Sequence, residues 1–290
     1  MNGIIIVDKP TDWTSHDIVA KLRGALKIKR VGHGGTLDPM ATGVLPVFIG
    51  RATRAAMFCE NAEKEYVARL RLGLVTDTQD ITGSTLSESM VTVRADELKA
   101  VVKSFSGAQK QVPPMYSAIK QGGKKLYELA RRGIEVPRPE RDIFISAIEV
   151  LDCDGTDFLL RIVCSKGTYI RTLCHDIGAA LGCGGTMSSL RRTGVGSFKI
   201  DTAFPLGEIL EAVSSGKLGE CLLPVDSLFS EFPLVVLDEK ESQRAKNGAL
   251  RLSGNLADGK YRFYDPNDEF LLLGEVVDGK ANTIKSFYEV

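Results

Sequence analysis

The sequence predicts an α+β fold, in which long strands and separate helices follow one another in an irregular order. Across residues 66–72, apolar residues alternate with Arg69 and Arg71, the period of a half-exposed strand. Residues 143–153 and 158–164 are typical of an antiparallel pair joined by a turn that contains Asp-Gly. This irregular order favours α+β over a doubly wound parallel sheet.

The first elements are predicted from local signals. The apolar run at residues 4–7 is typical of a strand. Thr14 and Asp17 resemble a capping box that opens a helix. One face of this helix is apolar and consists of Ile18, Val19, Leu22 and Leu26. Residues 44–49 then predict a buried strand, and residues 51–62 predict a helix.

The middle of the chain mixes loops, helices and strands. We predict a polar loop at residues 76–80 and a helix at 95–105. Prolines constrain the entry to a strand at 113–120, and a basic helix follows the glycine pair 122–123 and reaches Arg132. A further helix is predicted at 168–181.

A domain boundary is predicted near residues 229–233. Beyond it, short strand-like runs at 234–237, 271–277 and 283–288 are separated by Asp-Gly and Asn-Gly turns. We therefore expect a large domain over residues 1–230 and a small β-rich module over residues 231–290.

The composition, 43% hydrophobic and 26% charged, is typical of a soluble globular protein. The apolar run at residues 3–7 is too short for a signal peptide, and no segment approaches the ~18 apolar residues of a membrane span. We expect a cytoplasmic protein without a membrane partner.

The cysteines and histidines predict no metal site. The six cysteines lack a C-x-x-C pair, so neither a zinc site nor a disulfide framework is indicated, and we interpret them as small buried hydrophobic residues. His16, His33 and His175 have no partner at ligand spacing.

Charge is unevenly distributed although the net charge is zero. Residues 229–290 contain 8 basic and 11 acidic residues, which leaves 29 and 26 in the first 228. Five basic residues fall within residues 21–30, which contain no acid; these are Lys21, Arg23, Lys27, Lys29 and Arg30. This cluster is either a solvated helix face or a patch that contacts phosphates, and its position before the glycine-rich loop described next favours the second interpretation.

One carboxylate, Asp38, lies in a glycine-dense loop without another charged residue, GHGGTLDPMATGVL at residues 32–45. The glycines allow positive φ and close approach to a ligand, and Pro39 restricts the backbone at Asp38. An aspartate before proline is also a common turn starter. The following apolar run would anchor the acid rigidly, so we interpret Asp38 as a catalytic candidate.

This loop resembles the catalytic motif of the TruB-type tRNA pseudouridine synthases, and further segments resemble the family in the same order. They are VDKP followed by TSH (residues 7–10 and 14–16), KEY (residues 64–66) and CSKGTYIRTL (residues 164–173). Asp12 stands where the family usually has glycine. The resemblance covers nearly all of the first 230 residues.

The resemblance implies a pseudouridine-synthase fold with a mixed, largely antiparallel sheet flanked by helices, followed by a C-terminal domain similar to the PUA type. The implied reaction is isomerisation of uridine 55 in the T loop of tRNA, through base flipping and an aspartate nucleophile. A carboxylate can act as a nucleophile without a metal, so we expect no cofactor. The expected partner is the T arm of tRNA, and we expect a monomer without an obligate protein partner.

The resemblance also implies roles for individual residues. Tyr66 would stack on the flipped uracil and offer its phenol to the reacting groups, and Tyr169 would line the same pocket. Arg171 would pair with Asp38 and lower its pKa. The remaining implied contacts are His33 with the disrupted T loop, Leu190 with the base, and Lys9 and Lys64 with the phosphate backbone.

Three questions stay open from the sequence. The chain could be the catalytic subunit of an RNA-guided pseudouridine synthase, although it has no additional basic segment or recognisable partner surface. It could be a non-catalytic RNA-binding or tRNA-folding protein, which a carboxylate close to a polyanion disfavours. Asp38 could attack C6 of the base or C1′ of the ribose, or assist glycal formation.

Overall fold

The structure, a computed structural model, describes residues 1–288. The strands are, in order, β1 (Gly3–Lys9), β2 (Val31–His33), β3 (Thr42–Ile49), β4 (Lys64–Leu72), β5 (Leu74–Thr76), β6 (Thr85–Glu88), β7 (Gly107–Gln111), β8 (Lys120–Gln121), β9 (Lys124–Lys125), β10 (Arg141–Asp154), β11 (Asp157–Cys164), β12 (Gly185–Val195), β13 (Phe198–Lys199), β14 (Phe204–Pro205), β15 (Leu234–Val236), β16 (Gly259–Tyr264), β17 (Phe270–Val277) and β18 (Lys280–Ser286).

Helices lie between these strands. The α-helices are α1 (Ser15–Leu26), α2 (Ala56–Asn61), α3 (Ala95–Ser104), α4 (Leu126–Ala130), α5 (Ile170–Ala180), α6 (Leu206–Ser214) and α7 (Glu239–Lys246). Short 3₁₀ helices cover Gly50–Ala55, Ile200–Thr202, Leu218–Cys221 and Val225–Phe229.

A ten-stranded sheet organises residues up to about 205. Its main path runs β14-β1-β3-β12-β4-β11-β10-β7, with β13 paired to β12 and β2 paired to β3. β1 is parallel to β14 and β12 is parallel to β3, whereas the other pairs are antiparallel. This confirms the α+β fold with a mixed, largely antiparallel sheet.

The two faces of this sheet are covered differently. Ile5 and Val7 of β1 point towards a core that contains apolar residues of α1 and α6. Ile4 and Ile6, the alternate residues of the same strand, belong to a different core. Because side chains alternate along a strand, the apolar run of β1 has to be covered on both faces.

The C-terminal residues form a separate four-stranded sheet in the order β15-β16-β17-β18, as expected for a β-rich module. It shares a core with the large sheet, in which Phe229, from the 3₁₀ helix before β15, lies between the two. Phe229 lies 5.0 Å from Phe58 and 5.8 Å from Phe287, centroid to centroid, and shares a core with Ile4. The division at residue 230 stays a prediction, and the last two residues of the predicted 231–290 module lie outside the described residues.

Local signals predicted several elements well. The capping box is present, with the Asp17 amide donating to Thr14 Oγ1 at 3.0 Å and the Thr14 amide donating to Asp17 at 2.9 Å. The predicted helix at 95–105 and the hairpin of β10 and β11 are confirmed.

Other elements differ from the prediction. The segment predicted as a helix from residue 51 begins as a 3₁₀ helix, and the basic helix near residue 130 has five residues because β8 and β9 precede it. The strands β12 and β16 and the helix α7 were not predicted. Cys153 is exposed near the tip of the hairpin, so the interpretation of all six cysteines as buried is wrong. Within residues 1–288, no helix has both the length and the apolar character needed to cross a bilayer.

The aromatic contacts of Phe229 in this shared core yield a stability prediction. Phe229→Ala should reduce the free energy of unfolding by about 3 kcal/mol or more, because it leaves a cavity among Phe58, Phe270 and Phe287. Chemical denaturation measures this change. Phe144→Ala is the matched control: Phe144 is 50% exposed, so its loss should cost less than about 0.5 kcal/mol. Equal effects of the two substitutions would contradict the proposed packing.

Candidate active site

The loop that carries Asp38 connects β2 to β3 and is fixed by hydrogen bonds to distant elements. Ser15, the first residue of α1, accepts a hydrogen bond from the Leu37 amide at 2.8 Å and donates to the Leu37 carbonyl at 3.2 Å. The carbonyl of Pro39 accepts from the Asp12 amide at 2.9 Å. Asp38 therefore lies between two anchored neighbours.

Two positions of this loop have to be glycine because other parts of the chain lie where a side chain would be. A Cβ on Gly43 would lie 2.2 Å from the carbonyl oxygen of Arg192, and Gly43 has a φ of +103°. A Cβ on Gly34 would lie 2.6 Å from the Cβ of Cys59. The glycines thus let the loop pack directly against β12 and α2.

Arg171 pairs with Asp38, as the sequence predicted. Its Nε lies 2.9 Å from Asp38 Oδ2, and the arginine side chain is 5% exposed. The rest of the guanidinium is held by Nη1 donating to the Thr78 carbonyl at 3.2 Å and Nη2 donating to the Tyr116 carbonyl at 2.9 Å. Arg171 is therefore fixed from three directions, and its position in the first turn of α5 directs it at the acid.

A second carboxylate, Asp80, lies beside the pair and was missed by sequence reasoning. Its Oδ2 is 3.5 Å from Nη1 of Arg171, and it is 4% exposed. The Thr78 hydroxyl and the Thr82 amide donate to its Oδ1 at 2.9 and 3.0 Å. The available signal was an acid at the end of the predicted polar loop at residues 76–80, but only the fold brings that loop to α5.

Burial raises the pKa of Asp38 above the ordinary aspartate value. The positive charge of Arg171 lowers this pKa and the negative charge of Asp80 raises it, but the effect of burial is the largest. The predicted pairing is confirmed, and Arg171 lowers the pKa of Asp38 as predicted, but burial outweighs this effect. The carboxylate form is lost as pH falls through this raised pKa.

Tyr66 and Leu190 lie on neighbouring strands next to the acid loop. Each is 8% exposed, and both belong to the core that includes Leu37 and Ala41 on either side of Asp38. Burial raises the pKa of the Tyr66 phenol, and the negative charge of Asp38 contributes in the same direction. These two candidates thus form one wall beside Asp38.

Tyr169 immediately precedes α5 and is half-buried. Its amide donates to Gln111 Oε1 at 2.8 Å, and its carbonyl accepts from Gln111 Nε2 at 3.1 Å. Burial raises the pKa of its phenol, and the negative charge of Asp38 acts in the same direction. Gln111, which sequence reasoning missed, therefore holds the backbone of Tyr169 through two hydrogen bonds.

His33 lies at the start of the loop, where its Nδ1 accepts a hydrogen bond from the Gly35 amide at 3.3 Å. Its ring is 5.3 Å from that of His16, in a T-shaped arrangement. Burial lowers the pKa of His33 to about 4, and the charges of His16 and Arg192 contribute. At neutral pH, His33 is therefore an uncharged ring at the rim of the loop.

Lys9 and Lys64 are buried in the structure, whereas the sequence predicted that they contact the phosphate backbone of the tRNA. Lys9 Nζ donates to the carbonyls of Pro10, Trp13 and Pro39 at 2.9, 2.6 and 3.1 Å. Lys64 Nζ donates to the carbonyls of residues 60 and 62 at 2.6 and 2.7 Å. Burial lowers the pKa of both lysines to about 8. Both ammonium groups are thus occupied in fixing backbone, and Lys9 fixes the residue next to Asp38.

Within residues 1–288, no group of three or more histidine, cysteine or acidic side chains is arranged to hold a metal ion. The absence of a metal or a cofactor from the reaction stays a prediction. The site offers the carboxylates of Asp38 and Asp80, the guanidinium of Arg171 and two phenol rings.

Two family models match the chain in succession. The model for the N-terminal domain of the TruB family pseudouridylate synthases matches residues 23–170, and the model for the C-terminal domain of tRNA pseudouridylate synthase B matches residues 171–230. Together they include Asp38, Tyr66, Arg171 and Leu190.

Individual proteins extend the match over nearly the whole chain. A tRNA pseudouridine synthase B from Alkaliphilus oremlandii is 46% identical over 258 residues, which are 89% of this chain and 85% of that protein. A tRNA pseudouridine synthase B from Clostridium kluyveri is 40% identical over 292 residues, covering 99% of this chain and 100% of that protein.

Solved structures agree with these matches. A crystal structure of a Cbf5-Nop10-Gar1 complex superposes with a TM-score of 0.75 at 30% identity, covering 99% of this chain and 85% of that chain. The chain therefore belongs to the TruB family of pseudouridylate synthases.

Proposed function

We propose that this chain converts uridine 55 in the T loop of tRNA to pseudouridine, with Asp38 as the nucleophile. The observation that carries the proposal is the Asp38–Arg171 pair at 2.9 Å, bordered by Tyr66, Tyr169 and Leu190. The two relatives described above carry the name tRNA pseudouridine synthase B, which supports tRNA as the substrate. Incubation of the pure protein with unmodified tRNA, followed by mapping of pseudouridine, tests the proposal; a tRNA with cytidine at position 55 is the control.

The reaction breaks the bond between N1 of uracil and C1′ of the ribose and forms a bond between C5 and C1′. The proton on C5 is lost and N1 gains one, so the reaction involves no change of oxidation state. A carboxylate can attack C1′ or C6, or assist departure of the base. The Asp38–Arg171 geometry serves each route, because the guanidinium stabilises the carboxylate whenever it leaves the reacting carbon.

Base flipping brings the uridine to Asp38, whose side chain is 37% exposed. Unstacking typically costs a few kcal/mol, and stacking on aromatic rings offsets part of it. Tyr66 and Tyr169 supply the rings, and Leu190 supplies apolar contact on the same side. His33, uncharged at neutral pH, packs against the opened T loop at the rim.

The tRNA backbone is held by exposed basic residues. Lys21, Lys27 and Lys29 are exposed at the carboxyl end of α1 and in the segment that leads to β2. The PUA-like module, which packs against the opposite face of the sheet from Tyr66, grips another part of the tRNA. The enzyme acts as a monomer in the cytoplasm.

Two alternatives have less support. The first alternative is an RNA-guided enzyme. The sequence identity to the Cbf5 structure is 30%, which is lower than the 40–46% identity to the tRNA pseudouridine synthases B. A purely binding protein has no use for a carboxylate with its own buried guanidinium partner, since the carboxylate repels a polyanion.

We predict that Asp38→Asn abolishes isomerisation and keeps tRNA affinity within about tenfold, because the amide keeps the shape but cannot act as a nucleophile. Pseudouridine formation and filter binding measure the two quantities. The matched control is Asp12→Asn, since Asp12 is exposed nearby and asparagine tolerates its φ of +63°. The control should keep its rate within about threefold. Turnover by Asp38→Asn would remove Asp38 from the mechanism.

Arg171→Ala should lower the rate by about 100-fold or more, and it should move the acid limb of the pH–rate profile to higher pH. The sign follows from charge: Arg171 lowers the pKa of Asp38, so its removal raises that pKa, and ionised Asp38 is then lost at a higher pH. Arg171→Lys keeps the charge and should show the smaller shift. A variant with normal activity at neutral pH would refute the pairing as part of the mechanism.

The triple variant Lys21→Gln, Lys27→Asn and Lys29→Gln should weaken tRNA binding and flatten its dependence on salt, while the rate at saturating tRNA changes little. Asparagine is used at position 27 because Lys27 has a left-handed backbone. Affinities measured over a range of salt concentrations give the slope. Lys99→Gln with Lys103→Gln, on exposed positions of α3, is the control and should leave the slope unchanged. An unchanged slope in the triple variant would identify the cluster as a solvated face.

A further inference from the structure

Arg192, on β12, is a buried cation with an unusual set of partners. It is 1% exposed and is the largest of the fully buried side chains. None of the ion pairs found among residues 1–288 includes it. Burial of a charge without an opposite charge is costly unless hydrogen bonds replace water, so its partners indicate its purpose.

Those partners are backbone carbonyls at both ends of the Asp38 loop. Nη2 donates to the Gly35 carbonyl at 3.2 Å and Nη1 donates to the Thr36 carbonyl at 3.4 Å, three and two residues before Asp38. Nε donates to the Val44 carbonyl at 2.7 Å, six residues after Asp38. One planar guanidinium thus joins the entry and the exit of the loop.

The backbone of Arg192 holds the same loop. Arg192 is paired with Gly43 in the parallel ladder between β12 and β3. Its carbonyl oxygen also takes up the space that a Cβ on Gly43 would need. The exit of the loop is therefore fixed to β12 by main chain and side chain together.

Arg192 also lies beside Tyr66. The two residues are directly opposite each other in the antiparallel ladder between β12 and β4, so their side chains share one face of the sheet. Burial raises the pKa of the Tyr66 phenol, and the positive charge of Arg192 opposes this effect. The residue whose guanidinium spans the acid loop is therefore also a cross-strand neighbour of Tyr66.

We propose that Arg192 is a positioning residue that fixes the Asp38 loop and the Tyr66 phenol relative to each other, so that acid and ring meet the flipped uridine in one geometry. This inference rests on the function proposed above for Asp38 and Tyr66. A lysine at this position keeps the charge but cannot span the carbonyls at the entry and the exit of the loop, because its donors radiate from a single nitrogen, whereas Arg192 uses three separate nitrogens.

The test compares Arg192→Lys with Arg161→Lys. Arg161 is a control because its partners are the carboxylates of Glu65 and Glu149, which a lysine can also pair with. Single-turnover rate, tRNA affinity and amide hydrogen exchange are measured for both variants and for the unaltered chain. For Arg192→Lys we expect a rate lower by about 100-fold or more, tRNA affinity within about threefold, and faster exchange confined to residues 32–45. Arg161→Lys should stay within about threefold in rate and affinity.

Three outcomes would overturn the proposal. They are a rate for Arg192→Lys within threefold of the unaltered chain, an affinity that falls as much as the rate, and faster exchange throughout the large sheet or loss of a cooperative melting transition. The last outcome would give Arg192 a general structural role. If the unaltered chain forms no pseudouridine, the proposed function fails, whereas the exchange measurement still decides whether Arg192 holds the loop.

Discussion

The ion pair between Asp38 and Arg171 is the interaction on which the site depends. Desolvation at Asp38 raises the pKa of its carboxyl group, since it disfavours the charged form. One guanidinium with an Nε–Oδ2 distance of 2.9 Å opposes this tendency. The arginine must itself be held, and the carbonyls of Thr78 and Tyr116 hold it from two segments that are otherwise far apart in sequence. The acid loop, α5 and both of these segments therefore have to fold together before the site exists.

Buried cations give the acid loop its rigidity. Lys9 binds the carbonyl of Pro39, and Arg192 binds carbonyls on both sides of Asp38. A glycine-rich loop has high conformational entropy and needs such external bonds to keep one geometry. A cation surrounded by carbonyls provides them without placing another carboxylate next to Asp38, where a like charge would raise its pKa further. Asp80, bonded by Thr78 and Thr82 and shared with Arg171, is the exception.

The acid loop and the C-terminal module pack on opposite faces of the large sheet. On β4, Tyr66 faces the core beside the acid loop, while the neighbouring Glu65 pairs with Arg161 and Lys199 on the other side. On β1, Ile4 and Ile6 face the core that Phe229 and Phe287 of the C-terminal region complete. Successive side chains of a strand point to opposite faces of the sheet. The C-terminal module therefore packs on the face opposite to Tyr66, away from Asp38.

The sequence by itself determined the features that depend on local spacing. The alternation at residues 66–72, the capping box of Thr14 and Asp17 and the hairpin of β10 and β11 follow from neighbouring residues, and the motif resemblance supplied Asp38 and its partner Arg171. The tertiary structure alone decided that Asp80 joins this pair, that Lys9 and Lys64 are buried, and that burial outweighs Arg171 at Asp38. The tertiary structure also decided the position of β12 in the sheet. This strand lies between β3 and β4, although more than 100 residues of sequence separate it from both. Burial and the pKa depend on which distant segments pack together, and local patterns do not encode that pairing.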